Sequence, residues 1–221
     1  MNTKYRLYGR PNTSSAAVEA TLEEAGLPYD LVDLGEGADG RLATLPKGLN
    51  PLGQVPVLVL PDGTVMTESC AIIMHLSDLH APDKLSPLLQ SAKRPAFLRW
   101  MVFLAANTYM ADLRFYGPAR YTDDPQGAEA VRSAARKSMA RDFEIVAGVL
   151  GDSPWLLGET FSALDIYAAM LVSWAENVPN LFARHPELGT HYKRVSARPK
   201  IAPVWARHRM HPDPSGAFKP S

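Results

Sequence analysis

The chain has 221 residues, zero formal net charge, 46% apolar and 21% charged residues, a composition ordinary for one large globular domain or two small ones. Without an excess or a run of Lys and Arg, nucleic acid and anionic membrane are excluded as expected partners. No apolar stretch reaches the ~20 residues that span a bilayer, and Met1-Asn2-Thr3-Lys4 lacks the apolar core of a signal peptide.

Residues 5–8 read as a short strand. Residues 14–25 follow as a helix, with Ala17, Val18, Leu22 and Ala25 at helical spacing and Gly26 and Pro28 to stop it. Residues 29–34 form a second strand and 57–60 a third, and Pro61-Asp62-Gly63 turns the chain into a fourth at Val65-Met66. Pro56 stands first in the third strand, where a missing N–H is tolerable. A cis Val55–Pro56 bond there would leave the N–H and C=O of Val55 facing outward, free to pair with a peptide-like ligand. Glu68 and Ser69 open a helix through Ile72, Ile73 and Leu76. A carboxylate, a hydroxyl and free backbone N–H groups then share one helix N-terminus, which suits a ligand carrying both an ammonium and a carboxylate. The order βαβ then ββα describes an α+β domain over residues 1–81, a small four-stranded mixed sheet with helices packed on it.

Residues 82–92 carry two prolines and read as a linker, and from 93 to 221 the strand signal fades into an all-α half. Helices are expected at 95–116, 126–150, 162–174, 187–197 and 199–209, with an irregular Pro-rich tail after His211. Residues 161–166 combine a capping box with a hydrophobic staple: Ser162 is the N-cap, Asp165 returns its bond from the third helical position, and Phe161 can pack on Ile166. That role is structural, not catalytic. The six histidines form no metal pattern; His208 and His211 are three apart but border the tail. Cys70 is the only cysteine, so no internal disulfide exists, a reducing cytoplasmic compartment is expected, and the thiol reads as a small buried filler.

Three motifs in this order resemble the cytosolic glutathione transferases: Asn50-Pro51-Leu52-Gly53-Gln54-Val55-Pro56, then Glu68-Ser69-Cys70-Ala71-Ile72, then Gly158-Glu159-Thr160-Phe161-Ser162-Ala163-Leu164-Asp165-Ile166. The resemblance covers nearly all of the chain. It implies a thioredoxin-like first domain that binds glutathione, an all-helical second domain that builds most of the cosubstrate pocket, a homodimer, and no metal. The implied activity is attack of glutathione, as thiolate, on a small apolar electrophile. The same scaffold also serves glutathione-dependent disulfide oxidoreductases, ether-cleaving lyases and non-catalytic partner-binding domains.

By position, the resemblance implies that Val55 pairs its backbone with the cysteinyl unit of glutathione, with Pro56 in cis. Glu68 and Ser69 would hold the γ-glutamyl ammonium and carboxylate, and Gln54 and Lys47 would reach the glycyl carboxylate. The thiol-activating segment reads Tyr8-Gly9-Arg10-Pro11-Asn12-Thr13-Ser14-Ser15. The cysteine of the bacterial type falls on Ser14, which excludes a cysteine mechanism. The serine types fall nearer Asn12 or Thr13, a disulfide-reductase type places its pair at Asn12 and Ser14, and the tyrosine types fall on Tyr8, which reads as a core strand residue. Ser14, Thr13 and Asn12, in that order, are the candidates for contact with sulfur. Asn107, Tyr109, Arg114 and Tyr116 on the 95–116 helix would wall the cosubstrate pocket, with Tyr109 where related bacterial proteins place a polar residue facing the sulfur.

Overall fold

The computed structural model describes residues 4–35 and 43–210. The strands are β1 (Tyr5–Gly9), β2 (Tyr29–Asp33), β3 (Val57–Val59) and β4 (Val65–Met66), in spatial order β2-β1-β3-β4. β1 runs parallel to β2, with Leu7 opposite Leu31, and antiparallel to β3, with Leu7 opposite Leu58. The parallel pair needs a crossover, and α1 (Ser15–Ala25) supplies it. Its Ala-rich sequence favours helix, and Gly26 closes it at φ 70 with the Leu27 N–H returning to the Leu22 carbonyl at 3.0 Å. The β3–β4 hairpin forms as its turn residues require: Gly63 takes φ 90 and Asp62 accepts the Thr64 N–H at 2.8 Å.

α2 (Ser69–His80) packs beside α1 on the sheet. The stretch after it is folded rather than slack. Leu85 is buried, its carbonyl accepts the Ala163 N–H at 2.8 Å, and Arg94 grips both oxygens of Asp78 at 2.6 and 2.7 Å.

The helix expected at 95–116 is continuous but not uniform. α3 (Arg94–Phe103) passes into a π-helical turn, Leu104–Thr108, where the Tyr109 N–H reaches back five residues to the Leu104 carbonyl; α4 (Tyr109–Tyr116) follows. A short 3-10 turn, Pro118–Arg120, leads to α5 (Gly127–Leu150). Next come α6 (Ala163–Ser173), α7 (Val178–Arg184), α8 (Pro186–Ser196) and α9 (Ile201–Arg207). The sequence reading did not foresee α7, although Asn177 caps it by accepting the Asn180 N–H at 2.9 Å and Pro179 sits in its first turn. His211 and the Pro-rich tail lie outside the described residues.

α6 is the hub of the helical half, with every residue from Ala163 to Val172 buried. α1 is the hub between the halves. Its first eight residues are buried, and it packs against α2 on one side and α6 and α9 on the other. Glu19 is fully buried within α1, yet is not unpaired: Tyr29, Arg207 and His208 all reach its carboxylate. His208, three residues before His211, is therefore engaged with the Glu19 carboxylate through Nε2 at 2.6 Å. Five residues further along α1 the clamp is repeated, where Arg198 holds both oxygens of Glu24 at 2.7 and 2.9 Å.

Candidate functional site

Two segments of the sheet half and one helix of the other half line a cleft of about 820 Å³; a third segment of the sheet half, the start of α2, stands outside that lining. The first segment is the turn after β1. A Cβ on Gly9 would stand 2.9 Å from the Cβ of Ser15, so a glycine is what lets the strand run directly against the start of α1. Arg10, Asn12 and Thr13 line the cleft. Asn12 takes φ 58, a left-handed conformation that Asn tolerates better than most residues, and its buried Oδ1 has no hydrogen-bond partner. Thr13 Oγ1 donates to the Arg10 carbonyl at 2.7 Å and accepts the Ser15 N–H at 3.3 Å. A hydroxyl has one proton to give, and that of Thr13 is engaged. Ser14 is 1% exposed, and its Oγ lies 3.2 Å from the Tyr109 hydroxyl of α4.

The second segment is the loop before β3. Asn50 shapes it from inside, accepting the Leu52 N–H at 3.0 Å and donating to the Gln54 carbonyl at 2.9 Å, while Gly53 takes φ 64. The Val55–Pro56 bond is cis, and Leu52, Gly53, Gln54 and Val55 line the cleft. Lys47 is exposed and stands outside the lining.

The third segment is the start of α2. Glu68 holds φ 67 and ψ 106, a conformation that costs a non-glycine residue on the order of 1–3 kcal/mol and is characteristic of ligand clamps. Its exposed carboxylate precedes Ser69, which is 6% exposed with Oγ 3.4 Å from the Tyr167 hydroxyl of α6. Cys70 beside them is buried, with Sγ 3.5 Å from the Met101 carbonyl; burial, and then the Glu68 charge, push its thiol up to about 11. It is an inert packing thiol.

The helical half closes the cleft through α4, which contributes Tyr109, Asp112, Leu113 and Tyr116, backed by Trp174. Tyr109 stacks on Trp174 with ring centroids 5.7 Å apart, and the Tyr116 hydroxyl donates to the Trp174 carbonyl at 2.8 Å. Burial raises the Tyr109 phenol above its ordinary value and the Asp112 and Glu68 carboxyls add to this, while the bond to Ser14 opposes it. The phenol is therefore neutral and able to donate near pH 7.

Of the four pocket residues expected on this helix, Tyr109 and Tyr116 face the cleft. Asn107 is exposed and donates to the Phe103 carbonyl at 3.2 Å, and Arg114 lies over the Tyr121 ring at 5.4 Å; both stand outside the lining. Tyr8 is packed with Leu34, Leu45 and Val57 in a small cluster of its own. Ser162 and Asp165 stand outside the lining, in a buried capping box at the start of α6.

The sequence reading missed Arg10, Arg120, Trp174 and, above all, Asp112 as lining residues. Asp112 is 7% exposed, its Oδ1 has no partner, and burial pushes its carboxyl up to about 8. One signal was available: an acid three residues after Tyr109 and four before Tyr116 shares their helix face, among apolar and aromatic neighbours.

Residues 14–79 match the Glutathione S-transferase, N-terminal domain family, and residues 129–194 match Glutathione S-transferase, C-terminal domain. The chain is 33% identical over 171 residues to the GST-like protein YncG of Escherichia coli (strain K12), covering 76% of this chain and 81% of that one. It is 27% identical over 202 residues to the glutathione S-transferase GstA of Escherichia coli O157:H7, covering 89% and 94%. A glutathione transferase homologue from sulfitobacter, solved with bound glutathione, superposes with a TM-score of 0.80 at 25% identity, covering 95% of this chain and all (100%) of that one. With its thioredoxin-like first half, its helical second half and a cleft where they meet, the chain belongs to the glutathione S-transferase family.

Proposed function

We propose that this chain binds glutathione across the β1–α1 turn, the Gln54–Pro56 edge and the start of α2, and adds it as thiolate to a small electrophile held against α4. The observation that carries this reading is the 3.2 Å contact between Ser14 and Tyr109, which joins a buried hydroxyl of the β1–α1 turn to one that lines the cleft from the other half. The bound glutathione of the sulfitobacter homologue supports the ligand.

The energetics are modest enough for this pair. A free thiol with pKa near 8.5 is about 3% thiolate at pH 7, and lowering it by about two units takes about 2.7 kcal/mol. One hydrogen bond to the charged sulfur contributes about 1.5–3 kcal/mol, and the N-terminus of α1 about 0.3–1 kcal/mol more. Thr13 has its proton committed, which leaves Ser14 and Tyr109 as the hydroxyl donors and Asn12 as an amide donor beside them. Ser14→Ala is expected to raise the pKa of bound glutathione by about one unit and to lower kcat/KM about tenfold below that pH. Thiolate absorbance and the pH–rate profile measure both, and an unchanged thiol pKa would remove Ser14 from the mechanism.

Ser69 carries the γ-glutamyl end of the reading. Losing one hydrogen bond to a charged group costs about 1.5–3 kcal/mol, so Ser69→Ala is expected to weaken glutathione binding about 10- to 150-fold in a calorimetric titration. A parent chain that bound no glutathione would overturn the proposed function itself.

A further inference from the structure

Around the cleft, polar groups differ in whether their protons are free. The Tyr116 hydroxyl is given to the Trp174 carbonyl, Thr13 to the Arg10 carbonyl, and Tyr109 is paired with Ser14. Asp112 lies between Tyr109 and Tyr116 on the same helix face, lines the cleft, is more than nine-tenths buried, and has an oxygen with no partner. An ionised carboxylate in that position would need a cation. Arg10 lines the cleft but donates to the Leu34 and Ala43 carbonyls. From α5, which packs along α4, Arg132 is held by Glu129 and the Phe115 carbonyl, and Arg136 by Glu176. Arg120, in the turn after α4, lines the cleft without a bond to Asp112, and the remaining groups that act on this face, Glu68, Glu176, Tyr109, Tyr116 and Tyr121, are acids or phenols. The surroundings therefore favour a protonated carboxyl.

We propose that Asp112 enters the reaction as a neutral carboxylic acid that donates its proton to a carbonyl oxygen of the electrophile, so that α,β-unsaturated carbonyl compounds are the substrate class this cleft is built to take. The proposal rests on the conjugating function proposed above. In the step, the glutathione sulfur lone pair forms the C–S bond to the β-carbon. The C=C electrons shift to form the enolate, and the oxygen that gains the charge takes the Asp112 proton. The enol then isomerises to the ketone, and the Asp112 carboxylate recovers from solvent the proton that the thiol released on ionising. Displacement of chloride from a nitroaryl halide places the charge on nitro oxygens, which are not protonated before chloride leaves, and needs no proton from this acid. Burial of Asp112, which keeps its proton on until about pH 8, is consistent with the role.

The experiment compares benzylideneacetone, an enone, with chlorodinitrobenzene in the parent and in Asp112→Asn, which keeps the size of the side chain without its acidity. General acid catalysis contributes about 10²- to 10⁴-fold, so Asp112→Asn is expected to lower kcat/KM for the enone about a hundredfold more than for the aryl halide. The parent's own pH profile is an independent arm that needs no variant. Its enone rate should rise as the thiol ionises and then fall as Asp112 deprotonates near pH 8, a limb absent with the aryl halide and absent from Asp112→Asn. Equal losses for both electrophiles, or a falling limb that survives in Asp112→Asn, would overturn the role of Asp112 while leaving the transferase reading intact. A parent that turned over neither electrophile would overturn both.

Discussion

Replacing Glu19 by alanine is expected to destabilise the fold by about 3 kcal/mol, the lower end of the range for removing one partner of a buried ion pair. Glu19 is fully buried and receives Tyr29 at 2.8 Å, Arg207 Nε at 2.8 Å and His208 Nε2 at 2.6 Å. Losing the carboxylate leaves these donors facing an apolar helix. The lower end applies because the Arg207 side chain is 43% exposed and can turn to water, whereas His208, at 3%, cannot. The pH dependence has a defined sign. Burial pushes the Glu19 carboxyl up, but the bonds from His208, Arg207 and Tyr29 outweigh it and hold the pKa below the ordinary 4.5. A depressed carboxyl contributes stability that is present above its unfolded pKa and is lost as pH falls through the folded value. Urea unfolding should therefore show the gap between parent and Glu19→Ala at neutral pH and show it closing in acid, below 4.5. A gap under about 1 kcal/mol at neutral pH would mean that the pair is screened as a surface bridge is.

Asp165→Ala is expected to be at least as damaging, at about 3–5 kcal/mol, because it strips the acceptor from several buried donors at about 1–3 kcal/mol each. The carboxylate, fully buried, accepts the Ser162 N–H at 2.8 Å, the Leu156 N–H at 2.8 Å and the Ser162 hydroxyl at 3.2 Å, and lies 2.9 Å from His191 Nε2. It thus fixes the start of α6, the loop before it and α8 at once. Ser162→Ala is the comparison, since loss of an N-cap side chain costs about 1 kcal/mol. Denaturant unfolding of the two variants settles the ranking, and a cost for Asp165→Ala no larger than for Ser162→Ala would reduce Asp165 to an ordinary cap.

These two acids also mark where sequence reading stops. The capping role of Asp165 was legible because Ser162 lies three residues away, within one turn; its reach to Leu156 and His191, nine and 26 residues away, was not. Glu19 looks like one of several solvated charges on α1 until α9, almost the whole chain later, is placed against it. The strands, α1, α2 and the hairpin were legible because their signals are local: period, turn residues and Gly caps. So was the convergence of Gln54, Val55 and the Asn12–Ser14 turn, carried by motif order. Asp112 was not singled out, although its spacing from Tyr109 and Tyr116 puts it on their face; what spacing could not give is how that face is aimed relative to the first half of the helix, which depends on a backbone feature with no plain sequence signature.

That feature is the turn Leu104–Thr108, where the Tyr109 N–H reaches one residue further back than an α-helix allows. Each helical residue advances the side-chain direction by about 100°, so one extra residue sets all that follows about 100° out of phase with all that precedes it. The earlier phase serves the sheet half, where the Arg94 side chain meets Asp78 of α2. The later phase serves the cleft, with Tyr109, Asp112 and Tyr116. A single rod thereby holds two independently aimed faces, one fixing it to the sheet half and one lining the cleft, without a hinge between them.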